Sequence, residues 1–465
     1  MKTKKEATII HALIPIVVLM ASLAVAILLY DADPHIPIIL GIIVASLVAI
    51  FGLGYTWDEV EKGAIETIQL SMQAILILMV IGTLIGSWIL SGTVPAMIYY
   101  GLQLLSPGIF LVATVIICAI ISVATGSSWT TAGTVGVALV GVGAGLGIPA
   151  PIVAGAIVSG AYFGDKMSPL SDTTNLAPAM AGSTLFEHIN YMFYTTIPSL
   201  LISLVLYGII GMKYSGGQLD TANITSILDG IAGSFNISPL LLLPPVIVIV
   251  LVVLKMPALP GLISGSILGA IFAAIFQGAH LGDIIDALHY GFVSETGVEV
   301  VDELLSRGGL DEMMWTVSLI ILAMVFGGVM EKTGMLQTIG NAILKHAHST
   351  GSLVTATIFT SIAINILAAD QYLAVVIPGR MYKKVYDERG LEPRLLSRTL
   401  EDAGTLTSPL IPWNTCGAFM KSALLVSPLQ FAPYAFLNII NPIVAIILAF
   451  TGIGIKEGVS PDQVA

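Results

Sequence analysis

The sequence has little charge and almost no cysteine. Of 465 residues, 10% are charged, and the 18 basic residues are outnumbered by 29 acidic ones. The two cysteines, Cys118 and Cys416, lie in apolar stretches, which argues against a disulfide framework or a thiolate metal site. The acidic balance argues against a nucleic-acid partner, because phosphate binding needs clustered basic residues. The sequence also lacks GxSxG, P-loop and HExxH patterns, so the common hydrolase and nucleotide sites are not predicted.

The chain is instead rich in apolar residues, which make up 56% of the sequence. A first apolar run follows Lys2, Lys4 and Lys5, and we expect a retained helix there because no small-residue cleavage site follows it. Runs of this length suit helices rather than barrel strands, so we predict an all-α polytopic membrane protein. The main apolar runs cover residues 9–29, 36–51, 70–90, 191–210, 240–254 and 431–450.

The sequence also contains a weak internal repeat. A shift of 242 residues places Gly86 on Gly328 and Gly92 on Gly334. A shift of 240 places GDKMSPL (164–170) on GTLTSPL, with four identities in seven positions. Because the matches keep their order and nearly the same offset, we predict two copies of one structural unit.

The distribution of basic residues predicts that the two copies have opposite orientations. Residues 138–156 carry no charge, whereas their counterparts at 380–398 carry six basic residues, which are typical of cytoplasmic loops. We therefore predict two inverted-topology repeats, each with about five transmembrane helices, a re-entrant hairpin and a broken helix, and with both termini cytoplasmic. The predicted boundaries are 1–213 for the first repeat (hairpin 109–147, broken helix 150–182), 214–238 for an extracytoplasmic linker, and 239–465 for the second repeat (acidic loop 280–312, hairpin 351–379, broken helix 393–420).

Polar residues interrupt the apolar sequence at the two hairpin tips and at the two helix breaks. Pro169 and Pro409 remove backbone donors at the breaks, and the carbonyls, hydroxyls and carboxylates nearby are the ligands that a hard cation prefers. An aspartate at the bilayer centre costs about 2.5–3.5 kcal/mol, which favours a functional role over a structural one. The predicted ion-binding set comprises the Na⁺ candidates Asp165, Asp172 and Asp370, with Ser127, Ser128, Thr130, Ser168, Ser171, Thr173, Thr174, Asn175, Gln371, Ser408, Asn414 and Thr415.

A carboxylate in a membrane core can exchange protons, because burial favours its neutral form. A bound sodium ion favours the charged form, so Na⁺ and H⁺ would compete for one aspartate, and competition at an alternately exposed site is antiport. In an alternative reading, Lys166 pairs with Asp165 as a structural ion pair, which leaves Asp172 or Asp370 as the carrier. The histidines, His188 among them, show no metal-ligand spacing and are predicted to be surface residues.

Two long segments around the breaks carry a family resemblance. GDKMSPLSDTTNLAP with FEHINYMFYTTIPS, and NILAADQYLAVVIPGRMY with LEDAGTLTSPLIPWNTCGAFM, resemble the NhaC family of sodium/proton antiporters within the ion transporter superfamily. The resemblance implies inverted repeats with hairpins, a transport domain that moves against a scaffold, and cation exchange without a cofactor. Some NhaC-like proteins are similar to malate/lactate exchangers coupled to sodium and protons.

We therefore predict a secondary transporter, not an enzyme, that exchanges Na⁺ for H⁺ by alternating access in the cytoplasmic membrane. Its partners would be the lipid bilayer and these two ions, and a homodimer is one oligomeric state open to it. The alternative is a sodium- and proton-coupled malate/lactate antiporter. No arginine lies in a predicted span, which counts against it, although amide and hydroxyl donors can bind a carboxylate. A membrane enzyme or scaffold is a third class, and no nucleophile and base pair supports it.

Overall fold

The computed structural model describes residues 4–30, 32–215 and 221–455. Over these residues the chain is predominantly helical, and its β-type pairing takes the form of isolated bridges, such as the one between Phe292 and Arg307. Eight of the described helices are long and apolar enough to cross a membrane, or up to ten if each of two bent helix pairs forms one span. Helices satisfy every backbone donor within one segment, as a lipid environment requires. The all-α polytopic fold predicted from the sequence is confirmed.

The first part of the chain alternates long helices with short ones. Its α-helices are α1 (Ile9–Tyr30), α2 (His35–Leu47), α3 (Trp57–Leu90), α4 (Thr93–Leu104), α5 (Pro107–Thr125), α6 (Ser128–Thr131), α7 (Val137–Gly145), α8 (Ala150–Met167), α9 (Asp172–Ala181), α10 (Leu185–Ser215) and α11 (Thr221–Ser234).

The second part continues with the same kind of alternation. Its α-helices are α12 (Leu243–Val253), α13 (Ala258–Phe272), α14 (Leu281–Tyr290), α15 (Glu299–Leu305), α16 (Leu310–Lys332), α17 (Met335–Leu344), α18 (Thr350–Leu367), α19 (Gln371–Glu388), α20 (Pro393–Leu400), α21 (Thr415–Leu424), α22 (Pro428–Phe431) and α23 (Phe436–Thr451).

Two helices end in π-helical turns of the same design. Helix α2 runs into a π-helical turn at Val48–Leu53 that stops at Gly54, and α13 runs into one at Ala273–Gln277 that stops at Gly278. Both glycines have a left-handed backbone, with φ of 81° and 66°, which an L side chain rarely adopts. The same helix end is therefore built twice, in parts of the chain more than 200 residues apart.

Helices α3 and α16 form the centre of the bundle. In α16, 67% of the membrane-length window is buried, against 22% in α1, which lies at the periphery. The close approach depends on small residues, because a Cβ at Gly328 of α16 would lie 2.7 Å from the Gly63 carbonyl oxygen of α3. Such small-residue contacts are typical of tightly packed membrane helices.

The acidic segment between α13 and α16 is held together by one carboxylate. Asp302 Oδ1 accepts hydrogen bonds from the Thr296 amide (2.6 Å) and hydroxyl (2.7 Å) and from the Ser294 hydroxyl (2.8 Å), and Oδ2 accepts one from the Gly297 amide (3.0 Å). The bond from the Thr296 amide is the largest of the causes that hold the pKa of Asp302 below its usual value. The ionised form is therefore the one that orders this loop.

We expect Asp302→Asn to increase amide hydrogen exchange in residues 294–302 at neutral pH, because one carboxylate oxygen becomes a donor. The wild-type advantage is present above the unfolded pKa of about 4 and is lost as the pH falls through the lower folded pKa. Wild type and variant should therefore converge in acid, which mass spectrometry of the loop peptides would measure. The matched control is Asp286→Asn, since Asp286 is exposed on α14. Equal protection in the Asp302→Asn protein and the wild type at neutral pH would contradict this account.

Candidate functional site

The break between α8 and α9 is built by Ser168 and Pro169. Helix α8 ends at Met167, and Ser168 is extended, with φ of −82° and ψ of 130°. The buried Ser168 hydroxyl donates to the Val123 carbonyl (2.7 Å) and accepts from the Leu170 amide (3.2 Å). Pro169 lacks the amide that would continue the helix. The break is thus fixed by the side chain that precedes the proline.

Asp165, in the last turn of α8, is the best-bonded carboxylate near this break. Its Oδ2 accepts from the Ser128 hydroxyl (2.5 Å) and amide (3.2 Å), and its Oδ1 accepts from the Ser171 hydroxyl (2.6 Å). Asp165 is only 7% exposed. Ser128 begins α6 at the tip of the hairpin formed by α5, α6 and α7, whereas Ser171 precedes α9. One aspartate therefore joins a hairpin tip to a broken helix.

The hairpin tip itself depends on a glycine. Gly126 has φ of 69°, and a Cβ there would lie 2.7 Å from Leu170. The Ser127 hydroxyl accepts from the Thr130 amide (3.1 Å), so this hydroxyl caps α6. The Thr130 hydroxyl is buried and has no hydrogen-bond partner among the described residues. Thr130 therefore has an oxygen free for a ligand, whereas the Ser127 side chain already has a structural bond.

The predicted residues in the first turn of α9 lie on two different faces of the helix, one buried and one exposed. Thr173 and Thr174 are buried, and the Thr174 hydroxyl donates to the Asp165 and Lys166 carbonyls at 3.0 and 2.9 Å. Asn175 is exposed and donates to the Pro169 carbonyl (3.0 Å). Asp172 is also exposed, which corrects the expectation that all three aspartates are buried. A helix places successive residues on different faces, and the first turn of α9 turns Asp172 outward.

A second hairpin, formed by α18 and α19, carries Asp370 at its tip. The buried Asp370 caps α19, because its Oδ1 accepts from the Leu373 amide (3.0 Å). Its Oδ2 accepts from the Ser71 hydroxyl of α3 (3.4 Å). The neighbouring Ala369 has a left-handed backbone with φ of 55°, which is uncommon for alanine, and its carbonyl accepts from the Thr415 amide (2.9 Å). Asp370 therefore lies where this hairpin meets both a central helix and α21.

The second helix break is tied to the second hairpin by neutral side chains. Gln371 Oε1 accepts from the Ser408 hydroxyl (2.9 Å) and from the Cys416 thiol (3.0 Å). The Asn414 amide donates to the backbone and side-chain oxygens of Asn365, both at 3.1 Å. The Thr415 hydroxyl donates to Asn414 Oδ1 (3.4 Å). All four predicted neutral residues of this break and tip are thus engaged with one another or with α18.

Aromatic contacts bring the two polar regions together. The Trp129 ring of α6 stacks on Phe419 of α21, with ring centroids 4.2 Å apart. The Tyr372 hydroxyl of α19 donates to Asp172 Oδ2 (3.4 Å). The tip of each hairpin therefore contacts the broken helix of the other half of the chain. The predicted ion-binding residues occupy one connected region.

Lys166 pairs with an aspartate that sequence reasoning did not select. Its ammonium group bonds to Asp402, so the alternative in which Lys166 pairs with Asp165 is wrong. Asp402 Oδ1 also accepts from Thr195 Oγ1 (2.9 Å) and Asn441 Nδ2 (2.6 Å), and both charged side chains are fully buried. Asp402 lies in a π-helical turn, Glu401–Thr405, that follows α20. In the sequence, Asp402 could have been found from the acidic pair in LEDAGT, because this motif lies in a segment that carries the NhaC resemblance.

Two other charged or polar side chains, Arg398 and His188, are buried where the sequence did not predict it. Arg398 lies outside the main apolar runs but within the predicted broken helix 393–420, and it is fully buried, with its Nε 3.4 Å from Asp402 Oδ2. The absence of arginine from the apolar runs therefore does not mean that the polar interior lacks arginine. His188 is buried rather than on the surface, and its Nδ1 lies 2.9 Å from the Ser397 hydroxyl. Both residues belong to segments whose hydrophilic composition concealed their burial.

The chemistry of this region suits a monovalent hard cation or a proton. Over the described residues, no group of three or more His, Cys, Asp or Glu is arranged to hold a metal ion. The ligands on offer at each tip are one buried carboxylate and neutral oxygens from hydroxyls, amides and carbonyls. Such a set can balance a single positive charge, because each aspartate supplies one negative charge.

The known proteins that this chain is similar to are antiporters. The model of the Na⁺/H⁺ antiporter family matches residues 160–453. The Na⁺/H⁺ antiporter NhaC of Alkalihalophilus pseudofirmus is 40% identical over 457 residues, which cover 98% of each chain. The arginine/ornithine antiporter ArcD of Halobacterium salinarum is 42% identical over 95% of this chain and 92% of that one. A malate-2H⁺/Na⁺-lactate antiporter of Bacillus subtilis is 38% identical over 95% of both chains.

These relatives are membrane antiporters, and they match the chain over nearly its whole length. The polytopic helical fold agrees with a transporter rather than an enzyme. The chain belongs to the NhaC family of Na⁺/H⁺ antiporters.

Proposed function

We propose that the chain exchanges Na⁺ for H⁺ across the cytoplasmic membrane by alternating access, with Asp165 as a principal carrier. The observation that carries this proposal is the set of three hydrogen bonds from Ser128 and Ser171 to the Asp165 carboxylate, of which the two from hydroxyls are short. Serine hydroxyls can donate to a free carboxylate, and they can turn their lone pairs toward a bound cation. The same groups therefore suit both the empty and the Na⁺-bound site.

Competition for one carboxylate couples the two ions. A proton on Asp165 removes the charge that holds Na⁺, and Na⁺ displaces the proton by favouring the ionised form. Exposure of this site to each side of the membrane in turn gives exchange. The unpaired Thr130 hydroxyl supports a role as a neutral ligand, and Thr173 and Thr174 complete the polar wall beside Asp165.

Asp370 and Asp172 take different parts in this proposal. The hydrogen bond from Ser71 of α3 to Asp370 supports a carrier that also senses the position of the hairpin against the central helices. Gln371, Ser408, Asn414 and Thr415 would hold that tip in shape. The exposed Asp172 suits an entrance that attracts cations from water, since a carboxylate raises the local cation concentration.

We further propose that two inverted repeats build the transporter, within the boundaries predicted from the sequence, and that both termini are cytoplasmic. The recurrence of the π-helical turns after α2 and α13 supports the repeat. Gly92 and Gly334, aligned in the sequence, both precede a short helix and have φ of 81° and 75°. Modification of single cysteines placed near residues 5 and 215 by an impermeant thiol reagent, in a protein without Cys118 and Cys416, would test the orientation.

Inverted membrane vesicles test the function directly. With an acid interior set up beforehand, addition of NaCl should dissipate the pH gradient in vesicles that contain the protein, because external Na⁺ enters as protons leave. Choline chloride and vesicles without the protein serve as controls. A gradient that survives NaCl unchanged would refute Na⁺/H⁺ exchange.

A carboxylate exchanger is the second candidate function. The buried Arg398 favours it, because its two terminal nitrogens have no hydrogen-bond partner among the described residues and could bind a carboxylate. The name of the malate-2H⁺/Na⁺-lactate antiporter relative points to the same class. Uptake of labelled malate or lactate, with and without Na⁺, would separate this function from simple cation exchange.

A further inference from the structure

Glu401 is a buried carboxylate whose neighbouring hydroxyls, on Thr405 and Thr173, do not reach hydrogen-bond geometry. It is fully buried at the start of the π-helical turn that follows α20, and neither Oε1 nor Oε2 has a partner within the described chain. The Thr405 hydroxyl, one turn later, also lacks one. Three oxygen atoms in one helical turn are therefore free. Its neighbour Asp402 differs, since Lys166, Thr195 and Asn441 all donate to its Oδ1 and Arg398 Nε lies 3.4 Å from its Oδ2.

Only a few charged groups surround Glu401. Helix α8 contributes Asp165 and Lys166, both close enough for their charges to act on Glu401. Helix α20 contributes the buried Arg398. Four other helices pack against this turn. The one charged residue of α9, Asp172, is exposed, and so are the charged residues of α19 from Arg380 onward. Helices α18 and α23 contain no charged residue.

The buried charges do not balance when every group is ionised. Lys166 and Arg398 supply two positive charges, whereas Asp165, Asp402 and Glu401 supply three negative ones. A buried uncompensated charge is expensive, so this cluster requires one more monovalent cation. Asp402 bonds to Lys166, and Asp165 accepts three hydrogen bonds that favour its ionised form. Glu401 has no completed hydrogen bond, so it is the first member of the cluster to take up a proton, ahead of Asp165.

We propose that Glu401 is a second proton-exchange group of the transport site, protonated when Na⁺ is absent. On binding of Na⁺ beside Asp165, Glu401 loses its proton to water, and the Na⁺ ion replaces that positive charge. One proton leaves for each Na⁺ that enters the cluster, and no electron changes hands. This inference rests on the proposed Na⁺/H⁺ exchange and adds a carboxyl from the other half of the chain to the site.

Infrared difference spectroscopy of the purified full-length protein tests the proposal. Addition of NaCl to the wild type should remove a carbonyl band of a protonated carboxylic acid, and choline chloride should not. The band should be missing from the difference spectrum of Glu401→Gln. In Glu401→Asp it should persist at a changed frequency, because the acid is retained in a new position.

A Na⁺-dependent band that is unchanged in both variants would overturn the proposal. If Glu401→Gln does not fold, the Glu401→Asp protein still decides, since a band at the wild-type frequency would assign the proton to another group. The vesicle assay separates the two levels of inference. If the wild type exchanges Na⁺ for H⁺ and the Glu401→Gln protein still shows the band, the role of Glu401 alone is refuted. If the wild type neither exchanges the ions nor shows the band, both proposals are refuted.

Discussion

Asp165→Asn protein should fail to dissipate a pH gradient on addition of NaCl. The substitution keeps the size of the side chain but removes the charge that holds Na⁺ and the group that would take up the proton. A charge-assisted contact contributes about 1.5–3 kcal/mol, so Na⁺ affinity should fall about 10- to 100-fold. Asparagine cannot be protonated in this range, so position 165 itself should release no proton when residual Na⁺ binds. Gradient dissipation and Na⁺-induced proton release measure the two effects.

Two variants make this result specific to Asp165. Asp286→Asn makes the same chemical change at an exposed position on α14 and should exchange as the wild type does. Asp172→Asn should raise the Na⁺ concentration needed for half-maximal exchange, since we propose that Asp172 attracts cations at the entrance. Wild-type exchange by the Asp165→Asn protein would remove Asp165 from the mechanism.

Lys166→Met should be the most destabilising of the substitutions considered, because it leaves the buried Asp402 without its closest cationic partner. Removal of one member of a buried ion pair typically costs about 3–5 kcal/mol. We expect a marked fall in the thermal unfolding temperature of the detergent-purified protein. Thermal unfolding followed by size-exclusion chromatography would measure it.

The double variant Lys166→Met with Asp402→Asn is the matched control. Removal of both charges leaves no uncompensated carboxylate, and the asparagine oxygen can still accept from Thr195. We therefore expect the double variant to recover more than half of the lost stability. A double variant as unstable as Lys166→Met alone would show that packing of the lysine chain, rather than its charge, stabilises this region.

The sequence was sufficient to predict an all-helical membrane fold. Apolar runs of bilayer length leave only helices as a solution, and Pro169 and Pro409 each remove a donor that a continuous helix needs. Helix α8 ends at Met167, and a short 3₁₀ turn at Ser408–Leu410 interrupts the second broken helix. These features depend on local chemistry, which can be read along the chain.

The partners of the buried charges could not be predicted in this way. Lys166 and Asp402 are 236 residues apart, and nothing local distinguishes Asp402 from Asp165, the aspartate beside the lysine. The outward position of Asp172 depends on how α9 is rotated against α19 and α20. The burial of His188 depends on α20 packing over it. Each is a consequence of tertiary packing, which overrides what neighbouring residues suggest.

The pairing of Lys166 with Asp402 also has a consequence for synthesis of the chain. The two residues are separated by 236 positions. At the usual rate of about 5–20 residues per second, the ribosome needs roughly 12–47 s to reach Asp402 after it has added Lys166. During that time the lysine has no permanent counter-ion, so α8 cannot settle in lipid at low cost. Insertion of α8 and α9 must therefore be completed late, when the segment from α20 to α21 enters the membrane beside them.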